Sequence, residues 1–129
     1  MLEGKVAVVT GGSRGLGEAI AIKLASMGAD IAVICSSDVS SAEGVCSKCR
    51  DEYKVRVKAY RCDVSDFNEV KETVTQIKAD FGTVHILVNN AGITRDGLAA
   101  MMKEEDFDRV IAVNLKGAFN MIRHTAGLF

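Results

Sequence analysis

A chain of 129 residues, 48% of them hydrophobic, is long enough to bury one sizeable core and predicts a single domain over 1–129. Its 16 basic and 17 acidic residues leave a formal charge of −1 with no long block of one sign, which speaks against nucleic acid or an anionic membrane as partner. Neither a membrane-length apolar run nor a secretory leader pattern follows Met1, so the chain reads as cytoplasmic, with Cys35, Cys46, Cys49 and Cys62 as free thiols.

Val6 to Val9 is a continuous apolar run, the pattern of a strand buried on both faces. Leu16, Ala19, Ile20, Leu24 and Met27 then recur at helical spacing, and Gly28 supplies the helix stop. Ile31 to Cys35 is a second apolar run, ended by the turn formers Ser36, Ser37 and Asp38. A polar helix is predicted from Ser41 to Tyr53. Val55, Val57 and Ala59 alternate with Arg56, Lys58 and Tyr60, which predicts a third, less buried strand at a sheet edge. Ser65 or Asp66 caps a helix with Phe67, Val70, Val74, Ile77 and Phe81 on one face, stopped by Gly82. His85 to Val88 is the fourth strand and Asn89-Asn90-Ala91-Gly92 the loop after it. A last helix comes next, with Phe107, Val110, Ile111, Ala118 and Ile122 as its apolar marks.

Strands alternating with helices predict an α/β fold, a parallel sheet joined by right-handed crossovers with helices on both faces. The expected strand order is 3-2-1-4, a Rossmann-like doubly wound sheet reduced to about four strands.

Between the first strand and helix lies Thr10-Gly11-Gly12-Ser13-Arg14-Gly15-Leu16-Gly17. Gly11 suits a tight turn, Gly15 a close approach to phosphate and Gly17 close helix packing, with the helix N-terminus offering N–H donors to the anion. A glycine-rich turn used only for packing is the plain alternative. Cys35 ends the second strand where an acid would take the ribose 2′-hydroxyl of NAD, and Arg14 lies in the loop, which points to NADP. Asp38, a few residues later, leaves NAD open.

Thr10-Gly11-x-x-x-Gly15-x-Gly17, Asp63-Val64, Asn89-Asn90-Ala91-Gly92 and Asn114, in this order, resemble the N-terminal half of a short-chain dehydrogenase/reductase. Ile93-Thr94-Arg95-Asp96-Gly97, Met102 to Phe107 and Asn114-Leu115-Lys116-Gly117 are most similar to the 3-oxoacyl-[acyl-carrier-protein] reductases of fatty-acid synthesis within that family. The resemblance implies an NADP-binding site from Gly11, Ser13, Arg14, Gly15, Leu16, Gly17, Ser36, Asp63, Val64, Asn90, Ala91 and Gly92. Within it Asp63 would hold the adenine amino group, and Asn90 to Gly92 would run beside a ribose. Taken alone, Asp63 also fits a turn cap and Asn90 a tether between strands four and one. Asn114 would be the surviving catalytic member, organising a water in the proton relay; a satisfied core asparagine is the other reading.

The family's proton donor is a serine with Tyr-x-x-x-Lys. Here Tyr53 and Tyr60 are followed four positions later by Val57 and Val64, so the 129 residues are expected to be inactive alone. Two readings stay open. One is the cofactor-binding portion of an NADPH-dependent carbonyl reductase, whose full-length form would take a carrier-protein-linked substrate. The other is a stand-alone nucleotide-binding or interaction module without catalysis, and a flavodoxin-like signalling domain ranks last for want of acidic strand ends.

Cys46-Ser47-Lys48-Cys49 has redox spacing but sits mid-helix, which predicts ordinary solvent-facing thiols. No metal site is expected, and His85 and His124 have no evident partners. With strand four at an edge and the last helix leaving Val110, Val113, Ala118, Met121 or Ile122 partly exposed, a homo-oligomer through one of these surfaces is expected.

Overall fold

The computed structural model describes residues 1–93 and 99–129; Thr94 to Leu98, including most of the Ile93–Gly97 stretch, lie outside the described residues. Four parallel strands, β1 (Val6–Thr10), β2 (Asp30–Cys35), β3 (Val57–Arg61) and β4 (Ile86–Val88), form one sheet in the order β3-β2-β1-β4. Val8 pairs with both Ala32 and Leu87, so β1 and β2 are central and the strands beside them are edges.

Side chains alternate across a strand, and both faces here are covered. Val6, Val8, Ala32 and Ile34 face α3 (Phe67–Phe81) through Val70, Val74, Ile77 and Phe81. On the opposite face Ala7, Val9, Ile31 and Val33 meet α1 (Gly15–Ser26) and α2 (Glu43–Tyr53) through Ala21, Ala25, Val45 and Cys49. Double coverage is why β1 and β2 read as unbroken apolar runs.

The helix ends obey their local chemistry. Asp66 accepts the Glu69 N–H at 3.0 Å and caps α3. After α1, Gly28 N–H bonds the Ala25 carbonyl and Ala29 N–H the Leu24 carbonyl, the paired bonds of a Schellman stop. A short 3-10 turn, Val39–Ala42, takes the place of the first helical residues expected at Ser41, because Asp38 accepts the Ser40 N–H and tightens the chain there.

Three helical faces differ from expectation, and β3, the less buried edge strand expected, differs in one residue. In α1 the buried line is Gly17, Ala21 and Ala25, while Leu16 is 70% exposed; where a helix lies close on a sheet, the smallest side chains take the contact. In β3, Tyr60 is buried on the face opposite Val57, its hydroxyl donating to Asp80 Oδ2 of α3 at 2.6 Å. This edge strand is therefore covered on both sides. Cys46 and Cys49 are buried under the sheet rather than facing solvent, and burial pushes the Cys49 thiol up to about 11. These are inert core thiols despite Lys48 between them.

The last helix departs most. It runs without a break through α4 (Glu104–Val110), a wide π segment (Ile111–Lys116) and α5 (Gly117–Thr125). Its buried line is Val113, Gly117, Asn120, Met121 and Thr125. Phe107 and Ile111 are exposed together with Leu115, Phe119 and Ile122, whereas Val113 and Met121, expected among the partly exposed residues, are buried. The π segment explains the difference: Gly117 N–H bonds the Ala112 carbonyl five residues back, and the wider turn rotates α5 away from the face that a 3.6-residue period would give it. Among the described residues no helix is long and apolar enough to cross a membrane.

Candidate functional site

A cleft of about 460 Å³ opens at the C-terminal ends of β1, β2 and β4, at the switch point where the strand order reverses. Its floor begins with the turn from β1 into α1. Thr10, 1% exposed, anchors that turn to the loop after β4: its Oγ1 accepts Asn90 N–H at 3.0 Å and Ala91 N–H at 2.9 Å and donates to the Val88 carbonyl at 3.3 Å. Asn90 returns the contact, its amide donating to the Gly11 carbonyl at 3.2 Å. Asn90 thus is the predicted tether and also lines the cleft.

Gly15 begins α1 at φ +58°, a left-handed conformation that favours glycine, and a Cβ there would meet nothing within 4 Å. At Gly17 a Cβ would lie 2.0 Å from the Gly11 carbonyl oxygen and 2.5 Å from Asn90 Nδ2; only glycine lets the helix start this close to the loop. No side chain caps the N-terminus of α1. Uncapped donors and a positive helix end beside the cleft are features that suit an anion.

Of the sequence-predicted residues, Gly11, Ser13, Arg14, Gly15, Ser36, Val64, Asn90, Ala91 and Gly92 line the cleft. Gly17 sits behind it as a packing residue, as expected. Leu16 does not line it, because its side chain leaves the first turn of α1 into solvent; any part it plays falls to its backbone N–H. Asp63 does not line it, although Cys62 and Val64 on either side do. Its Oδ1 accepts the Ser65 N–H at 3.0 Å and hydroxyl at 2.6 Å, and its Oδ2 is 3.9 Å from Arg109 Nη1. Burial pushes this carboxyl up most, but the Ser65 bonds together with Arg109 and Arg61 outweigh that and hold it below the usual carboxylate range. The Asp63 N–H donates to Glu69 Oε1 at 2.9 Å, which fixes the loop to α3.

The far end of β2 offers Cys35, Ser36, Ser37 and Ser41 to the cleft, and among the described residues none that lines it is acidic. Asp38, the one acid that could have changed this, is turned to cap the 3-10 turn instead.

Asn114 is not the buried amide its position suggested. It lies on the exposed side of the π segment, where Oδ1 accepts Ile93 N–H at 2.8 Å and Nδ2 donates to the Ile93 carbonyl at 3.0 Å. Both amide atoms are spent on one backbone residue, tying the helix to the end of the β4 loop. Asn114 lines only a small void of about 20 Å³ beside the main cleft.

Besides lining residues such as Ser37, Ser41, Cys62 and Val113, sequence reasoning missed several contributors. The Thr10 hydroxyl had a visible signal, a hydroxyl residue ending an apolar strand before glycine. Arg109 lines the cleft from α4, and nothing in its charged surroundings marked it. Asn120, fully buried, donates to the Val64 carbonyl at 2.8 Å, beside Gly117, where a Cβ would lie 2.6 Å from Val64 Cγ2. Glycine in mid-helix was the signal for this close approach. His85, given no role, accepts the Val6 N–H on Nδ1 at 2.9 Å and joins β4 to β1.

Among the described residues no group of His, Cys, Asp or Glu could hold a metal ion.

The family model described as short chain dehydrogenase matches residues 5–129. A 3-oxoacyl-[acyl-carrier-protein] reductase FabG of Staphylococcus epidermidis is 44% identical over 119 residues, 92% of this chain and 48% of the relative. One from Thermotoga maritima is 42% identical over 126 residues, 93% of this chain and 48% of the relative. The chain spans about half the length of the curated relatives it matches. Among solved structures, a metagenomic short-chain oxidoreductase in complex with NADP aligns at TM-score 0.92 and 37% identity, over 98% of this chain and 57% of that one. An NAD⁺-bound xylitol dehydrogenase aligns at TM-score 0.92 and 32% identity, over 98% of this chain and 48% of that one.

Proposed function

Because this chain belongs to the short chain dehydrogenase family, we propose that residues 1–129 are one dinucleotide-binding unit, the cofactor-binding portion of an NADPH-dependent carbonyl reductase. The observation that carries this reading is the uncapped N-terminus of α1, opening on a cleft at the switch point of the sheet. Gly11 to Leu16 would hold the pyrophosphate, Asp63 the adenine amino group with Val64 lining its pocket, and Asn90 to Gly92 would run beside a ribose. Arg14, with Ser36, Ser37 and Ser41 around the end of β2 and no carboxylate among the described residues lining it, favours the 2′-phosphate of NADP over the 2′-hydroxyl of NAD.

Bound there, NADPH supplies a hydride for a carbonyl carbon. The chain's own residues hold and orient: Thr10 and Asn90 fix the loops on either side of the dinucleotide, and Asn114 fixes Ile93. Proton donation needs an acid at the developing alkoxide. Neither Tyr53 nor Tyr60 has a lysine four positions on, and Tyr60 is committed to Asp80, so these 129 residues do not reduce ketones at a useful rate by themselves. Likeness to the FabG relatives supports a 3-oxoacyl thioester on an acyl carrier protein as the substrate of the complete enzyme. The same lack of a donor equally fits a stand-alone nucleotide-binding module.

Titrating the chain with NADPH and NADH, each followed by a turnover assay with a 3-oxoacyl thioester, tests this. Saturable binding with NADPH roughly tenfold tighter than NADH, and no turnover, is expected, tenfold corresponding to one charge-assisted phosphate contact. Equal affinities would remove the NADP assignment, and clear turnover the claim of inactivity.

A further inference from the structure

Among the described residues Arg109 is the one cation that reaches the cleft from the last helix, and its hydrogen bond is spent in an unexpected place. Nη1 donates to Ser65 Oγ at 3.1 Å, and Ser65 in turn donates to Asp63 Oδ1 at 2.6 Å. The direct approach of the guanidinium to Asp63 Oδ2 is 3.9 Å, too long for a charge-assisted hydrogen bond. Among the described residues Arg109 is therefore held by a hydroxyl, with most of its five donors and its planar face unspent on them, and its side chain is 47% exposed at the cleft mouth.

What lies beneath it is apolar. Cys62, Val64 and Val113, each under 8% exposed, form this end of the cleft. A slot with apolar lining, edged by a guanidinium that stands 3.9 Å from a carboxylate, has the form of a purine site. The ring covers the floor, the carboxylate accepts from an exocyclic amine, and the guanidinium stacks on the exposed ring face.

We infer that Arg109 is a binding residue for the adenine ring, its guanidinium closing over the base from α4 while Ser65 holds it in place. The inference rests on the dinucleotide reading above and adds to it a residue of the last helix. It also gives that helix a part in recognition, since Asn120 and Gly117, two turns and more further on, hold Val64 in the floor of the same slot.

Calorimetric titration with 2′,5′-ADP, which carries the base, and with inorganic pyrophosphate, which does not, separates the possibilities for wild type, Arg109→Gln and Arg109→Lys. Lysine keeps the charge and loses the plane. Arg109→Gln is expected to weaken 2′,5′-ADP roughly tenfold and Arg109→Lys about threefold, while pyrophosphate binds Arg109→Lys within about twofold of wild type. Unchanged unfolding midpoints are expected for both variants, because the side chain is half exposed. Variants that bind 2′,5′-ADP like wild type would overturn the role of Arg109 and leave the dinucleotide site standing. An equal loss of pyrophosphate in Arg109→Lys would mark general disturbance and overturn it too. A wild type that binds neither ligand would reject the dinucleotide reading, and this inference with it.

Discussion

Thr10 carries more of the site than its size suggests. Its hydroxyl satisfies two N–H groups of the β4 loop and reaches the Val88 carbonyl. Thr10→Val keeps the shape and removes the oxygen, leaving the Asn90 and Ala91 N–H groups unpaired. A loss of about 2 kcal/mol in stability is expected by urea unfolding, together with weaker nucleotide binding. A change below about 0.5 kcal/mol would show that the loop is held by Asn90 alone. Carboxylates held low in the folded chain, Asp80 and Asp63 among them with Glu3 and Asp38, set the acid limit. The Lys58 ammonium and then the Tyr60 hydroxyl hold Asp80 below the usual carboxylate range, and Asp63 is also lowered. A carboxylate lowered on folding stabilises above its unfolded pKa and ceases to as pH falls through its folded one. The thermal midpoint is therefore expected to hold above about pH 5 and to drop below about pH 4, and Asp80→Asn to make that drop shallower. A flat profile from about pH 6 to about pH 3 would contradict this.

At the scale of elements, strands and their order were legible because a doubly covered strand leaves an unmistakable apolar run, as Val6 to Val9 does. Helix existence was legible too, from Asp66 and Gly82 at the ends of α3. Helix faces were less so. Close packing selected Gly17, Ala21 and Ala25, residues that hydrophobicity alone ranks low, and the π segment broke the period on which the last helix was read. What that break leaves outside is a stripe of Phe107, Ile111, Leu115, Phe119 and Ile122, each at least 41% exposed. Five such residues on one helical run exceed scattered surface apolarity, and we propose that this face, rather than the β4 edge, carries self-association. Light scattering should show wild type above monomer mass, and Leu115→Ser with Phe119→Ser shifted to monomer without loss of nucleotide binding. A wild-type monomer at high concentration would sink the proposal.

For the whole molecule, the site is where separate parts of the chain meet: the turn after β1, the ends of β2 and β3, the loop after β4 and the last helix. Motifs within one segment, such as Gly11 to Gly17 and Asn89 to Gly92, could be read locally. Contributions that exist only through packing, such as Arg109 over the β3 end or Asn120 on the Val64 carbonyl, could not, since nothing in their neighbours' sequence announces the contact. The central claim is that this meeting point binds a dinucleotide, and amide chemical-shift mapping of the isotope-labelled chain titrated with NADP⁺ tests it most directly. Saturable shifts are predicted at Gly11 to Gly17, Ser36 and Ser37, Asp63 to Ser65 and Asn90 to Gly92, with Leu115, Phe119 and Ile122 on the exposed stripe of the last helix unmoved. No saturable shift, or shifts centred on that stripe with the glycine turn silent, would contradict it.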